Sequence, residues 1–86
     1  MTRPPTPRPL TRRQRETLLL AANGNNNQEI AAWRGVTPNS VAQILTATYQ
    51  RLGARDRAQA VAIGLAVGEL GVHEIHVPDQ QREAAA

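Results

Sequence analysis

The chain has 86 residues, contains no cysteine and carries a net charge of +3 at pH 7. This length fits one small domain, the lack of cysteine excludes disulfides and cysteine catalysis, and no apolar run approaches the roughly 18 residues of a membrane span. All ten basic residues are arginine; residues 1–68 carry a net charge of +6 and residues 69–86 a net charge of −3. We expect a cytoplasmic protein without membrane association, whose basic part favours a polyanionic partner such as nucleic acid.

The apolar residues favour helices. Alanine and leucine are prominent in the 41% hydrophobic fraction, and Trp33 and Tyr49 are the only aromatic residues. Such a composition is typical of short, closely packed helices rather than of a sheet. GC-rich coding would also explain the exclusive use of arginine, but it does not explain why the acidic residues collect at the C-terminal end.

Residues 1–9 are rich in proline and arginine. The prolines favour an extended arm that has no core of its own. Two interpretations are open: a disordered tail, or an arm whose Arg3 and Arg8 contact phosphates or enter a minor groove.

Four predicted helices follow, each with its own start and stop residues. The starts are N-cap residues: Thr11, Asn26, Thr37 and Asp56. The stops are glycines, which readily adopt a left-handed backbone: Gly24, Gly35, Gly53 and Gly71. We therefore predict an all-α fold in which the fourth helix runs through Leu70.

The second and third predicted helices are joined by Gly35, Val36 and Thr37. A three-residue connection that contains glycine is typical of the helix-turn-helix motif, and Val36 is expected to fill the corner. An ordinary helical corner with no role in DNA binding has the same pattern.

Four sequence motifs resemble the LuxR/FixJ/GerE-type DNA-binding domain. They are LTRRQRE at residues 10–16, NNQEIA at 26–31, GVTPNSV at 35–41 and YQRLGARDRAQAV at 49–61. Region four of bacterial sigma factors is similar to the first three motifs but lacks the ending of the fourth. The resemblance implies a four-helix helix-turn-helix domain over residues 10–70, whose third helix enters the major groove and whose fourth helix pairs two copies. The flanking segments are then an extended arm at residues 1–9 and an acidic, partly disordered tail at residues 71–86.

Three positions depart from the family pattern. Ala42 and Ile44 stand where the family usually has a lysine and a histidine that contact DNA, and the third predicted helix has no charged residue before Arg51. Arg34 stands where the family has a core leucine. We expect Trp33 to take over that packing while Arg34 turns to the surface.

The third predicted helix has an inward face, formed by Val41, Leu45, Thr48 and Leu52, and an opposite, mostly polar face. The residues opposite the inward face are the predicted base contacts: Asn39, Gln43, Thr46, Ala47 and Gln50. Amide side chains can make two hydrogen bonds to adenine, and threonine or alanine can contact a thymine methyl group. Residues near helix ends are the predicted phosphate contacts: Arg12, Arg13, Asn27, Gln28, Thr37 and Arg51. A solvated polar face without a partner is the alternative.

The fourth predicted helix is apolar on two sides, although one side is enough for a monomer of this size. The second side predicts an interface between two copies, formed by Ile63, Ala66, Val67 and Leu70. Alternatively, residues of the tail fold back over this side: Val72, Ile75 and Val77.

His73 and His76 lie three residues apart, but no third ligand is evident and we predict no metal site. The alternating residues 72–77 instead predict a short extended segment that ends at Pro78. The sequence has no glycine-rich phosphate loop and no paired carboxylates, so we expect neither a cofactor nor an enzyme.

We expect a bacterial transcription regulator that binds double-stranded DNA as a homodimer, associated with the nucleoid. Because only nine residues precede the matched region, we also expect a stand-alone regulator without a built-in input domain. The alternative is a protein-interaction module that pairs with a larger LuxR-type regulator or contacts RNA polymerase as a sigma-like unit would. An exposed Ile44 would favour this alternative, and an Ile44 packed into the core would not.

Overall fold

The computed structural model describes residues 9–78 of the chain. Across this range it contains a 3-10 helix at Val72–Glu74 and four α-helices: α1 (Arg12–Ala22), α2 (Asn27–Arg34), α3 (Pro38–Leu52) and α4 (Arg57–Ala66). The predicted all-α architecture with four helices is confirmed. The predictions for the arm and for the disordered end of the tail fall almost wholly on residues 1–8 and 79–86, which lie outside the described range.

The helix starts are formed by the residues that the sequence indicates. The Thr11 hydroxyl accepts from the Gln14 amide, and the Gln14 side chain accepts from the Thr11 amide. Asn26 and Glu29 form the same reciprocal pair at the start of α2. Each box satisfies backbone donors that a helix terminus leaves unpaired, and such a cap stabilises a helix by about 1 kcal/mol.

α3 is the central element and packs against the other three helices. The buried apolar side chains come from every helix and from the segment after α4: Leu18, Ala21, Ile30, Ala31, Val41, Leu45, Leu52, Ala60 and Leu70. Helices of this length are marginal in isolation, so the shared core is what stabilises them.

α4 ends at Ala66, four residues earlier than predicted, and this changes the place of Leu70. The Leu70 amide donates to the Gly64 carbonyl, and the Leu70 side chain is 1% exposed. Gly64 provides the space: a methyl group added there would lie 3.2 Å from the Leu70 side chain and 3.3 Å from that of Leu18. The prediction that Leu70 lies on an exposed interface is therefore wrong, because Leu70 completes this chain's own core.

The segment after Leu70 is tied to α1 by three contacts. Arg15 pairs with the Glu74 carboxylate at 2.6 Å, and the Asn23 side chain donates to the Glu74 carbonyl while accepting from the His76 amide. Residues 72–74 form a 3-10 turn where an extended segment was predicted. Val72 and Val77 are 77% and 64% exposed, so these two residues do not cover an apolar face of α4, whereas Ile75 is half-buried.

We predict that the Glu74 contact makes the stability of the fold sensitive to acid. The Gly71 amide and the Arg15 guanidinium hold the pKa of the Glu74 carboxyl below its usual range. Since the folded-state pKa lies below the unfolded-state value, this carboxylate stabilises the fold at neutral pH. That contribution is lost as the pH falls through the folded-state pKa.

Glu74→Gln should therefore lower the urea midpoint at pH 7, and its difference from the wild type should shrink below about pH 4. The measurement is urea unfolding of both proteins across a pH series. A difference that stays constant over the series would show that the charge of Glu74 contributes nothing.

The packing expected of Trp33 is also corrected. Trp33 is 72% exposed, whereas Ile30 and Ala31 are buried. Trp33 follows Ala31 by two residues, which is about 200° around a helix, so the two side chains point in opposite directions. Arg34 is partly buried at the inner edge, and its guanidinium lies 2.5 Å from the Glu16 carboxylate of α1.

Candidate nucleic-acid interface

The connection between α2 and α3 has the geometry of a tight helical corner. Gly35 adopts a left-handed backbone with φ of 69°, and the Val36 amide donates to the Ala31 carbonyl at 3.0 Å. Val36 is half-buried and packs against the core, as predicted. The Thr37 hydroxyl then caps α3 by accepting from the Ser40 amide. These contacts fix the angle at which α3 leaves the corner.

One face of α3 is anchored in the core. Val41, Leu45, Thr48 and Leu52 are all buried, which confirms the predicted inner face. Thr48 is a polar member of this set, and its hydroxyl donates to the Ile44 carbonyl at 2.7 Å. Among the described residues no buried polar side-chain atom lacks a hydrogen-bond partner, so this face of α3 stays in the core and its opposite face is turned outward.

The outward face of α3 carries the residues predicted to contact bases. The structure places four of them in solvent, namely Asn39, Gln43, Thr46 and Gln50, and leaves Ala47 half-buried. None of the four exposed side chains makes a hydrogen bond or an ion pair with another part of residues 9–78. Their donors and acceptors are therefore available to a partner without the loss of any internal contact.

Two of the predicted phosphate contacts have internal partners on the same surface. The Arg12 guanidinium lies 3.2 Å from Glu16 but remains 90% exposed. The Arg51 guanidinium, at the end of α3, donates to the Pro9 carbonyl. Ion pairs this exposed contribute little to stability, so a partner can displace the Arg12 contact at low cost.

Among the remaining predicted phosphate contacts, two side chains make hydrogen bonds within the protein and the other two are exposed. Arg13 and Gln28 are exposed. The Thr37 hydroxyl is used by its cap, and the Asn27 carbonyl oxygen accepts from Arg57. Asn27 and Thr37 can therefore contribute backbone amides near helix starts more readily than side-chain groups.

Arg57 is the residue whose role the sequence did not indicate. Its guanidinium donates to the Asn25 carbonyl at 2.9 Å and to the Asn27 side chain. These bonds join the first residue of α4 to the turn before α2. Since the partners are about thirty residues apart in sequence, no local pattern signals them. Arg57 thus fixes the end of α2 that the interface is predicted to use.

The two positions that depart from the family pattern lie beside the outward face. Ala42 and Ile44 are half-buried. Neither is among the half-buried apolar side chains that pack against the core. Ile44 is thus neither fully exposed nor a core residue, and its exposure does not decide between a DNA-binding and a protein-binding surface.

The sequence matches the family model described as "Bacterial regulatory proteins, luxR family" over residues 8–63, which is well over half of the chain. The chain belongs to the luxR family. This luxR-family chain also resembles the solved structure of the transcription factor GerE. The TM-score is 0.69 and the identity 31%, and the match covers 72% of this chain and 92% of GerE.

Two further relatives are much longer proteins, and this chain matches only part of each. The chain is 43% identical over 58 residues to a probable transcriptional regulatory protein, SgaR, of Hyphomicrobium methylovorum, covering 67% of this chain and 28% of SgaR. It is also similar to VqmA bound to DPO, with a TM-score of 0.66 and 25% identity over 84% of this chain and 34% of VqmA. The chain thus spans about a third or less of these two proteins.

These matches establish the function class at a coarse level: the chain is a helix-turn-helix protein of a DNA-binding, transcription-regulating family. Two further structural observations concern metal binding and membrane-spanning helices. Among residues 9–78, no group of three or more histidine, aspartate or glutamate side chains is placed to hold a metal ion. The same range includes no helix of the length and apolar character needed to cross a membrane.

Proposed function

We propose that this luxR-family chain regulates transcription by placing the outward face of α3 in the major groove of double-stranded DNA. The observation that carries the proposal is the set of exposed polar side chains on α3 that have no hydrogen-bond partner within residues 9–78. Asn39, Gln43, Thr46 and Gln50 form that set, and Ala47 lies at its edge. A rigid helix that presents free amides and hydroxyls is suited to hydrogen bonding with base edges.

Phosphate contacts must come from outside this face, because α3 carries no charge before Arg51. We assign them to Arg12, Arg13 and Arg51, to Gln28, and to the backbone amides near Asn27 and Thr37. Arg12 and Arg13 are exposed at the start of α1, and Arg51 lies at the end of α3. Contacts to phosphates fix the position of the protein on the duplex, while α3 supplies the sequence preference.

The direct test is selection of preferred DNA from a random pool, followed by affinity measurements on the selected duplex over a salt series. We expect a sequence preference and a steep fall of affinity with salt, because arginine–phosphate contacts release counterions. Arg51→Ala should weaken binding to all duplexes alike and lower the salt slope by about one unit. Arg51→Lys keeps the charge and serves as the control, so its slope should match the wild type. Failure to bind any duplex at low salt would contradict the proposal.

We further propose that two copies pair through α4. Ala66 is exposed and Val67, the C-cap residue of the helix, is 48% exposed, whereas Ile63 is half-buried and packs against this chain's own core. With Leu70 in the core, the proposed interface is smaller than the sequence predicts. An apolar side left open at a helix end is suited to a two-fold, self-complementary contact.

Val67→Asp should abolish this dimer, because it would place unpaired charges in the apolar contact. Val72→Asp is the matched control: Val72 is more exposed than Val67, the C-cap residue of α4, and lies further along the chain in the 3-10 helix. Sedimentation equilibrium over a concentration series distinguishes the two variants. If both variants associate as the wild type does, α4 is not the interface.

A second candidate function is a protein-interaction module that pairs with a larger regulator or contacts RNA polymerase. The observation that favours it is the exposed Trp33, since aromatic side chains are enriched at protein interfaces. The DNA selection described above separates the two functions, because this candidate predicts no sequence preference.

A further inference from the structure

We infer that the DNA contacted by α3 is made of A·T base pairs, and that thymine methyl groups contribute directly to the affinity. This inference rests on the proposed DNA-binding function and specifies its substrate. It starts from the chemistry of the outward face, where the exposed groups are amides, a hydroxyl and methyl groups. Between residues 38 and 50 the sequence has no charged side chain of either sign.

The absence of charge on this face disfavours recognition of G·C pairs. Guanine is most often recognised by an arginine or lysine that bonds O6 and N7, and cytosine by a carboxylate that accepts from its amino group. A glutamine or asparagine amide instead matches the N6 donor and N7 acceptor of adenine. Gln43 and Asn39 lie one turn apart on the outward face and present such amides.

Methyl groups lie beside the central amide. Thr46 follows Gln43 by three residues and Ala47 by four, which is about 4.5–6 Å along the helix axis. Since base pairs are spaced by about 3.4 Å, these side chains would face base pairs about one to two steps from the one that Gln43 is proposed to contact. Thymine is the one base with a methyl group in the major groove, so apolar contact there selects it.

A further apolar side chain, Ile44, lies at the edge of the outward face of α3. Ile44 lies one turn before Ala47, is half-buried and does not pack against the core. The side chains of Gln43 and Thr46 make no hydrogen bond to the part of the chain that the structure describes, so none there has to be broken for them to approach a base pair. The face therefore combines free amides with methyl groups and lacks a competing cation.

The closing experiment uses the duplex selected from a random pool and the same duplex with deoxyuridine in place of thymine at the contacted positions. Deoxyuridine removes only the methyl group of the major groove. We expect affinity to fall about fourfold for each contacted methyl group, as expected for the loss of one buried methyl group. Deoxyuridine placed in the flanks of the same duplex is the control and should leave the affinity unchanged.

A protein variant tests whether Thr46 is the residue that contacts the thymine methyl group. Thr46→Ser keeps the hydroxyl and removes the methyl group, so the variant should discriminate less between the thymine and deoxyuridine duplexes than the wild type does. The inference is overturned if the selected sites are G·C at the contacted positions, or if deoxyuridine binds as tightly as thymine. In either case, if the protein still prefers certain DNA sequences, the proposed DNA-binding function is supported and only the inference about A·T pairs is contradicted. If no duplex binds at low salt, both fail.

Discussion

Leu70→Ala is expected to lower the free energy of unfolding by about 2–5 kcal/mol, the usual cost of truncating a buried leucine to alanine. Leu70 is 1% exposed and fills the space that Gly64 leaves on α4, next to Leu18 of α1. Truncation would open a cavity between two helices. Small domains have a total stability of about 5–15 kcal/mol, so this single change removes a large part of it.

Urea unfolding at several protein concentrations is the measurement, because it separates core stability from dimerisation. The loss caused by Leu70→Ala should be the same at every concentration. Val67→Ala is the control: Val67 is 48% exposed in the single chain, so any effect should appear only where dimers form. If Leu70→Ala leaves the free energy of unfolding unchanged and weakens self-association, Leu70 belongs to the dimer interface and not to the core.

The helix starts and the inner face of α3 could be predicted because their determinants are local. The capping boxes at Thr11 and Asn26 need only residues three positions apart. The inner face of α3 follows from helical periodicity alone, and all of its predicted members are buried. The family motifs extend over the same stretch, so local pattern and resemblance agree on the corner at Gly35.

The end of α4 could not be predicted because it depends on a contact between distant helices. Apolar residues continue past Ala66 to Leu70, and periodicity alone therefore extends the helix. The chain instead turns after Ala66, and Leu70 packs back over Gly64. Whether a glycine within a helix leaves space for a later side chain is a tertiary property that the sequence pattern does not encode.

The polar contacts between distant parts of the chain also could not be predicted from local sequence patterns. Arg15 pairs with Glu74 and Leu10 donates to Glu69, each across 59 positions of sequence. Arg57 reaches across about thirty positions to the turn before α2. In sequence these arginines look like free cations available to phosphates. In the structure, Arg15 and Arg57 fix helix positions, so fewer arginines remain for DNA than the composition suggests.

These contacts connect the fold to the candidate site. Arg57 holds the start of α2, the corner at Gly35 fixes the direction of α3, and the buried face of α3 prevents it from turning about its axis. The outward side chains are held at fixed positions and make no hydrogen bonds to the other described residues. Preorganisation of this kind lowers the entropy lost on binding, which matters for a helix that has no charge of its own before Arg51.

Gln43→Ala is expected to weaken binding to the preferred duplex by about 1–3 kcal/mol and to relax the preference at one base pair. Gln43 lies at the middle of the outward face and is exposed, and its side chain makes no hydrogen bond to any of the residues from 9 to 78. The change therefore removes a group that only a partner uses. Alanine also favours a helix, so the fold should remain as stable as the wild type, as thermal unfolding can verify.

Fluorescence anisotropy on the preferred duplex and on an unrelated duplex gives the comparison. The loss should be confined to the preferred duplex, because phosphate contacts supply the binding to unrelated DNA and Gln43 is proposed to contact a base instead. Gln43→Glu keeps the shape of the side chain but replaces its donor with a second acceptor. It should therefore lose adenine more strongly than alanine does, and any remaining preference should shift toward cytosine, whose amino group donates. Equal losses on both duplexes would instead place Gln43 against the phosphate backbone, and no loss on either would move the recognition face away from the middle of α3.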